Sequence, residues 1–497
     1  IYTVTNTLSL HDALPILNPR LVLRYAGLLV VVSGFAMVTA LPVALAFGER
    51  DELIAVALSA AVSLAAGLLP ALWFRTRRPR VTRRDAFAIV AVAWFAISAF
   101  GGLPYMLSGV LPNPVDAFFE SASGFTTTGA SVIADPDTVP RAILYWRALT
   151  QWLGGMGIIV LFVAVFAELG VGGRFLFQSE VPGPISESIH PKIRETSLAL
   201  WKLYVLLTAL LAGLLAVAGL DPFDAVCHAF TTLSTGGFST RTAGVAAFDS
   251  GAVTWILIAF MIVAGTNFAL IHQAFRGRFG RLARDRELWA YLALLALATV
   301  AVFADVAGRF DGPGQAWTHA AFQVTSLMTT TGFATRDFDL WPPFSKILLV
   351  VLMFVGGSAG STAGGIKVIR LLMLFKVAQR GLVRLIRPHV VMPVRLGRQV
   401  IPEDAIQQVT GFFFLYMLVF VGVSLFVAAH GIDMATSLSS AAATLGNIGP
   451  GLARIGAVRN FADLPADVKA VLAVAMILGR LELYSVAALA VPVFWRR

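Results

Sequence analysis

The chain has 497 residues, 58% hydrophobic and 13% charged, with a mean hydropathy of +0.80, a composition that excludes a water-soluble globule and requires a polytopic membrane protein. The net charge of +10 does not point to nucleic acid, because the basic residues sit in short segments between apolar stretches rather than on one solvated face. A single cysteine, Cys227, excludes an internal disulfide framework.

Residues 1–17 (IYTVTNTLSLHDALPIL) have neither the basic start nor the sustained apolar core of a signal peptide. The string SLHDALPI resembles a translated sequencing adapter, so residues 1–20 read as an artefactual or disordered segment outside the fold. Apolar stretches long enough to cross a bilayer of about 30 Å then follow at 21–47, 53–74, 86–108, 141–169, 197–219, 251–275, 287–308, 343–376, 407–430 and 467–494. Ten crossings are expected. Between the third and fourth, fifth and sixth, seventh and eighth, and ninth and tenth lies a semi-apolar stretch too short to span, each ending in Gly, Thr and Ser. Arginines crowd the loops at 75–84 and 276–286, and with lysine at 376–398, all on one side of a ten-span chain. By the positive-inside rule that side is cytoplasmic, as are both termini. The four short stretches therefore emerge on the outer side and must dip back, which non-helical backbone survives only around a water-filled cavity or buried in protein.

The four stretches align without gaps on a final glycine: ASGFTTTG at Gly129, FTTLSTGG at Gly237, TSLMTTTG at Gly332 and AATLGNIG at Gly449. An apolar residue stands four places earlier (Phe125, Leu233, Met328, Leu445) and a polar one nine places earlier (Glu120, His228, Gln323, Ser440). A dehydrated cation needs oxygen ligands, which the carbonyls of an extended Thr/Ser/Gly strand supply. Glycine lets that backbone take positive φ and approach the ion closely. A short helix before each strand would aim its negative C-terminal end at the pathway, which selects cations. The expected ligands are the backbones of Thr127, Thr128 and Gly129; Thr235, Gly236 and Gly237; Thr330, Thr331 and Gly332; and Asn447, Ile448 and Gly449. Taken singly, such segments also fit turns or small-residue helix contacts.

These residues resemble the Trk/Ktr/HKT superfamily of cation transporters, and within it the Trk-H type of bacterial potassium uptake protein. The resemblance covers nearly the whole chain after residue 20. It is carried by the four strings together with LTQWLGGMGIIVL (149–161), PGPISESIHPKIRETSLALW (182–201), GGFST (236–240), GGSAGSTAGGIKVIR (356–370) and GRLELYS (479–485). It implies an all-α membrane protein with four pseudo-symmetric M1-P-M2 repeats around one pore, preceded by two extra transmembrane helices. The corresponding divisions are two extra helices at 21–80 and repeats at 81–175, 176–280, 281–400 and 401–497. It further implies potassium uptake across the bacterial inner membrane, a homodimer, and a cytoplasmic nucleotide-binding regulatory subunit of Trk-A type. The membrane lipid surrounds it; K+ is the transported ion and no cofactor is covalently bound. A glycine in all four strings goes with potassium preference in that superfamily. The fourth string departs from the pattern at Asn447, Ile448 and Pro450, so a sodium-coupled or sodium-permeable transporter of the same fold is the alternative.

The eighth apolar stretch contains GGSAGSTAGG, 356–365, and each glycine costs a helix about 1 kcal/mol relative to alanine. The helix should break there. Gly356, Gly357, Gly360, Gly364, Gly365 and the closing Lys367 are read as a mobile intramembrane gate, consistent with the superfamily's obstructing loop; close small-residue packing between helices is the other reading. Ile366 between Gly365 and Lys367 excludes a phosphate-binding Walker loop. Arg480 lies inside the tenth stretch, where a basic side chain costs at least about 2.5 kcal/mol. By resemblance it projects below the strings as a barrier to cations; structurally it could instead pair with Glu482 or Glu120. An alternating-access carrier would show inverted repeats, and an intramembrane enzyme would show HExxH or paired carboxylates, neither of which the spans contain.

Overall fold

The computed structural model describes residues 17–74, 82–155, 193–390, 392–396 and 399–495. Residues 1–16, the arginine loop at 75–81, Arg398, and the ends of the motifs that run into 156–192 lie outside the described residues. Among the described residues the architecture is all-α apart from a two-stranded hairpin, Arg395–Leu396 with Gln399–Val400.

Among the described residues, six helices are long and apolar enough to cross a membrane: Pro19–Phe47, Arg50–Trp73, Arg84–Leu107, Ser197–Val217, Arg286–Arg309 and Glu403–Ala429. The first two cross through glycines. A β-carbon on Gly27 would lie 2.7 Å from the Gly67 carbonyl oxygen, and one on Gly67 would lie 2.5 Å from that of Gly27, the close backbone approach by which membrane helices associate.

Four half-length helices fill the semi-apolar stretches: Pro114–Phe125, Pro222–Leu233, Pro313–Met328 and Met434–Leu445. Their starts are written locally. Asn113, Asp221 and Asp433 cap the first, second and fourth through their side chains, and proline occupies the first helical position of the first three, where its missing N–H costs nothing. Each helix ends in the same turn. The amides of Thr128, Gly236, Thr331 and Ile448 reach back to the carbonyls of Ser123, Thr231, Ser326 and Ala443 at 2.8, 2.8, 2.8 and 2.9 Å, the bond of a left-handed helix stop.

The helices after the strings differ from the continuous spans expected. The sixth breaks into Gly251–Ala264 and Phe268–Phe275, bent by 103°. The eighth stops at Leu352 and resumes at Val368, where the glycine content predicted a break. The tenth stops at Arg480 and resumes at Tyr484. The fourth is helical over Arg141–Gly155, its remainder lying outside the described residues. Averaged hydropathy missed the sixth and tenth breaks because strongly apolar residues flank the short interruptions at 265–267 and 481–483, the first of which ends on Asn267, whose side chain caps the following helix. A β-carbon at Gly154 or Gly479 would overlap the carbonyl oxygen of Phe125 or Leu445, the last residue of a half-helix, so the backbones meet there.

Candidate functional site

The four glycine strings converge and close on one another. A β-carbon on Gly129 would overlap the carbonyl oxygen of Gly236; on Gly237, that of Thr331; and on Gly332, that of Ile448. One on Gly449 would sit 2.8 Å from the carbonyl oxygen of Thr128. Each glycine thus abuts the carbonyl just before the next string's glycine, in cyclic order, so the four strings form a closed ring. The φ angles of these glycines are +80°, +77°, +82° and +101°, which only glycine adopts without strain.

Two residues earlier the backbone is left-handed again, at Thr127, Thr235, Thr330 and Asn447, with φ of +54° to +57°. Asparagine tolerates this region, but for a β-branched threonine it is an outlier costing about 1–2 kcal/mol. Threonine repeated in three strings at that cost marks the position as one that uses its side chain. All twelve residues expected as ligands therefore come together, and all are buried or nearly so.

Polar side chains brace the ring from behind. Glu120, fully buried, accepts from Arg147 Nε at 2.7 Å, from Ser131 Oγ at 3.0 Å and from the Val132 amide at 2.8 Å. Arg147 also donates to the Ser239 carbonyl at 2.9 Å and lies 3.6 Å above the Phe238 ring, so one ion pair ties the first string to the second. Gln151 donates to the Gly236 carbonyl at 2.7 Å and accepts from the Phe238 amide at 3.0 Å. His228 meets Ser239 Oγ at 3.0 Å. Gln323, at the same register in the third string, has neither amide atom satisfied, since Ala334 stands where the first two strings have Ser131 and Ser239. The fourth string is braced by Asn447, whose Nδ2 donates to Thr128 Oγ1 and to the Met476 carbonyl, each at 2.9 Å. Arg147 and Gln151 were not singled out in the sequence. Their signal is two polar residues four places apart on one face of an apolar helix.

Below the ring runs the glycine loop, 353–367. Its ends meet through the Gly356 amide on the Ile366 carbonyl at 2.9 Å, and a β-carbon on Gly356 would overlap the Gly364 carbonyl. Gly360 and Gly365 have φ of +73° and +64°. The loop touches three strings' surroundings. Thr362 Oγ1 donates to the carbonyls of Leu233 and Ala264, both at 3.1 Å, and a β-carbon on Gly357 would lie 2.7 Å from the Gly265 carbonyl. The Gly364 amide donates to Thr330 Oγ1 at 2.7 Å, and a β-carbon on Gly364 would overlap the Gly446 carbonyl. Lys367, buried, turns back on the Ala363 carbonyl, and Glu287 accepts from the amides of Ala359 and Ile369 at 2.7 and 3.1 Å.

Arg480 completes the arrangement. Its guanidinium donates to Thr127 Oγ1 at 3.0 Å, to the Thr362 carbonyl at 2.9 Å, and to the carbonyls of Gly154 and Gly155. Neither carboxylate suggested as its structural partner is bonded to it: Glu120 is held by Arg147, and Glu482 by Arg370. Arg480 thus joins the loop to the first string.

The profile of the TrkH family, described as "Cation transport protein", matches residues 55–496. The chain belongs to the TrkH family of cation transport proteins. Among the family's members, the Trk system potassium uptake protein TrkH of Halomonas elongata is 41% identical over 485 residues, covering 96% of this chain and 99% of that one. Its namesake from Escherichia coli K12 is 39% identical over 488 residues, with the same coverage. The crystal structure of the potassium transporter TrkH from Vibrio parahaemolyticus superimposes with a TM-score of 0.87 at 37% identity, covering 97% of this chain and all of that one. These relatives carry the names of transport proteins rather than of enzymes, and the family's all-helical membrane architecture is that of this chain.

Proposed function

We propose that the chain takes up potassium across the bacterial inner membrane through a gated, channel-like pore whose selectivity filter is the ring of four strings. The closed cyclic contact between each glycine and the next string's carbonyl carries this reading. A ring assembled that way places main-chain oxygens from four sides around one axis, so a dehydrated monovalent ion exchanges water for carbonyls. The half-helices end on the strings, and their negative ends favour a cation there. The membrane potential drives entry, worth about 2.3 kcal/mol per charge per 100 mV. On this reading the chain is four M1-P-M2 repeats, 81–175, 176–280, 281–400 and 401–497, after two extra helices.

The glycine loop and Arg480 are the gate in this proposal. The loop lies under the second, third and fourth strings while Arg480 holds a positive charge at the first, which opposes a cation leaving the ring. A cytoplasmic nucleotide-binding subunit of Trk-A type, acting on a homodimer, would move the loop. A sodium-permeable transporter is a second reading, favoured by one observation: the Asn447 side chain crosses to Thr128 and Met476, so the fourth wall is not equivalent to the others.

The test is uptake of potassium, rubidium and sodium into liposomes holding the purified protein, with and without Gly129→Ser and Arg480→Ala. Potassium and rubidium should enter well ahead of sodium, Gly129→Ser should erode that preference, and Arg480→Ala should raise uptake of all permeant cations. Equal sodium and potassium uptake by the parent would overturn the filter, and unchanged flux in Arg480→Ala would overturn the barrier.

A further inference from the structure

Two places before each ring glycine stands a residue with a side-chain oxygen, Thr127, Thr235, Thr330 and Asn447, each carried on left-handed backbone. Two of the four are engaged by the gate elements. Thr127 Oγ1 accepts from Arg480 Nη1 at 3.0 Å, and Thr330 Oγ1 accepts from the Gly364 amide at 2.7 Å. A third, Asn447 Oδ1, is fully buried and has no hydrogen-bond partner. Its orientation is fixed, because Nδ2 is anchored on Thr128 Oγ1 and the Met476 carbonyl, and β-carbons on Gly479 and Gly364 would lie 2.9 and 3.4 Å from Oδ1. That oxygen therefore faces the space bounded by the loop and by the residue before Arg480. The Thr235 hydroxyl donates to the Ser234 carbonyl at 2.6 Å, which leaves its own lone pairs to accept.

We propose that these four oxygens are one site shared between the gate and the transported ion. With the loop in place, the Arg480 guanidinium and the Gly364 N–H fill it, the guanidinium standing in for a monovalent cation. With the loop withdrawn, Thr127, Thr235, Thr330 and Asn447 Oδ1 ligate a dehydrated potassium ion arriving from the ring. The inference rests on the pore reading and adds a regulatory consequence to it. Two positive charges cannot occupy this level together, so ion and gate exclude each other. By linkage, a cation that binds only when the gate is withdrawn shifts the population toward the open state as its concentration rises, and gate closure weakens its binding by the same factor. The strained threonines follow from this. Glycine would take the backbone conformation without strain, but it has no oxygen to offer either occupant.

The experiment measures loop withdrawal directly, with Cys227→Ala removing the native thiol and Ser361→Cys placing one on a partly exposed loop position. Modification by a charged thiol reagent is timed in proteoliposomes at low and high potassium, with N-methylglucamine holding ionic strength constant. Potassium and rubidium should speed labelling several-fold, and N-methylglucamine should not. Thr330→Val and Thr127→Val keep the shape but remove the hydroxyl, and should label fast with little potassium dependence. Thr330→Ser, which restores the hydroxyl, should return toward the parent, separating loss of the oxygen from misfolding. A potassium-independent labelling rate in the parent, or parental behaviour in both valine variants, overturns the shared site. Uptake measured on the same liposomes tells the failures apart: a parent that takes up no potassium defeats the pore reading itself, whereas selective uptake with potassium-independent labelling defeats only this inference.

Discussion

Replacing Glu120 by glutamine removes one negative charge from a fully buried pair and leaves nearly everything else in place. The Arg147 side chain is 4% exposed, so it cannot recover by hydration. Its remaining partners are the Ser239 carbonyl at 2.9 Å and the Phe238 ring at 3.6 Å. Breaking a buried ion pair by removing one member costs about 3–5 kcal/mol, most of it the penalty of the abandoned charge. A glutamine oxygen still accepts one bond, and a desolvated cation–π contact retains up to about 2 kcal/mol. The expected loss is therefore near the lower bound, about 3 kcal/mol, or roughly two decades in the folding equilibrium. Unfolding in mixed micelles, followed by tryptophan fluorescence, should show it. The double variant Glu120→Gln, Arg147→Met should recover much of the loss, because it leaves no charge stranded. A single variant as stable as the parent, or a double variant whose losses simply add, would refute the claim that a buried charge pair holds the first string to the second.

Gly237→Ala should be more damaging than alanine at an ordinary glycine, since φ of +77° costs about 1–2 kcal/mol and the new methyl overlaps the Thr331 carbonyl; potassium uptake should be abolished, and retained uptake would argue against the ring. Ala334→Ser supplies the third string with the serine that the first two have and gives Gln323 a partner. It should stabilise by about 1 kcal/mol, and a lower unfolding midpoint would show that the register is not equivalent. In the loop after the first string, the Thr242 amide, 3.0 Å from Asp137, and the nearby Arg241 hold the Asp137 carboxyl below its usual value. A lowered carboxyl contributes stability that is complete above its ordinary value of 3.8 and is lost as pH falls through the still lower folded value. The difference in melting temperature between the parent and Asp137→Asn should accordingly be constant at neutral pH and shrink only in strong acid; a difference that persists there would remove the carboxylate from the tie.

The half-helices and their strings were legible because they are written in local chemistry. An apolar residue in the last turn and a glycine at fixed register recur four times, and repetition turned weak motifs into a firm alignment. The loop at 353–367 was legible for the same reason, as a density of glycine no helix tolerates. What stayed hidden depends on pairs far apart in the chain. Glu120 was noticed as one of four polar residues in register and as a candidate partner of Arg480, whereas its actual partner Arg147 is separated from it by a whole string and turn. Arg480 was expected to oppose cations or to pair with a carboxylate, and its guanidinium donates to Thr127 Oγ1 and to the carbonyls of Gly154, Gly155 and Thr362, partners that lie far away in the chain. The breaks in the sixth and tenth helices were themselves invisible to averaged hydropathy: at 265–267 and at 481–483 the interruption is three residues long and apolar residues flank it on both sides.

Mutual support among the strings also bears on biosynthesis. Because every glycine leans on the following string, and the last leans back on the first, no hairpin holds its own opening to shape as it leaves the ribosome. The opening acquires its final wall only with Asn447–Gly449, and on the pore reading the guanidinium that stoppers it emerges shortly afterwards on the same hairpin. A nascent chain that stalls before this point lacks both, so the membrane never hosts a finished conduit long before its stopper.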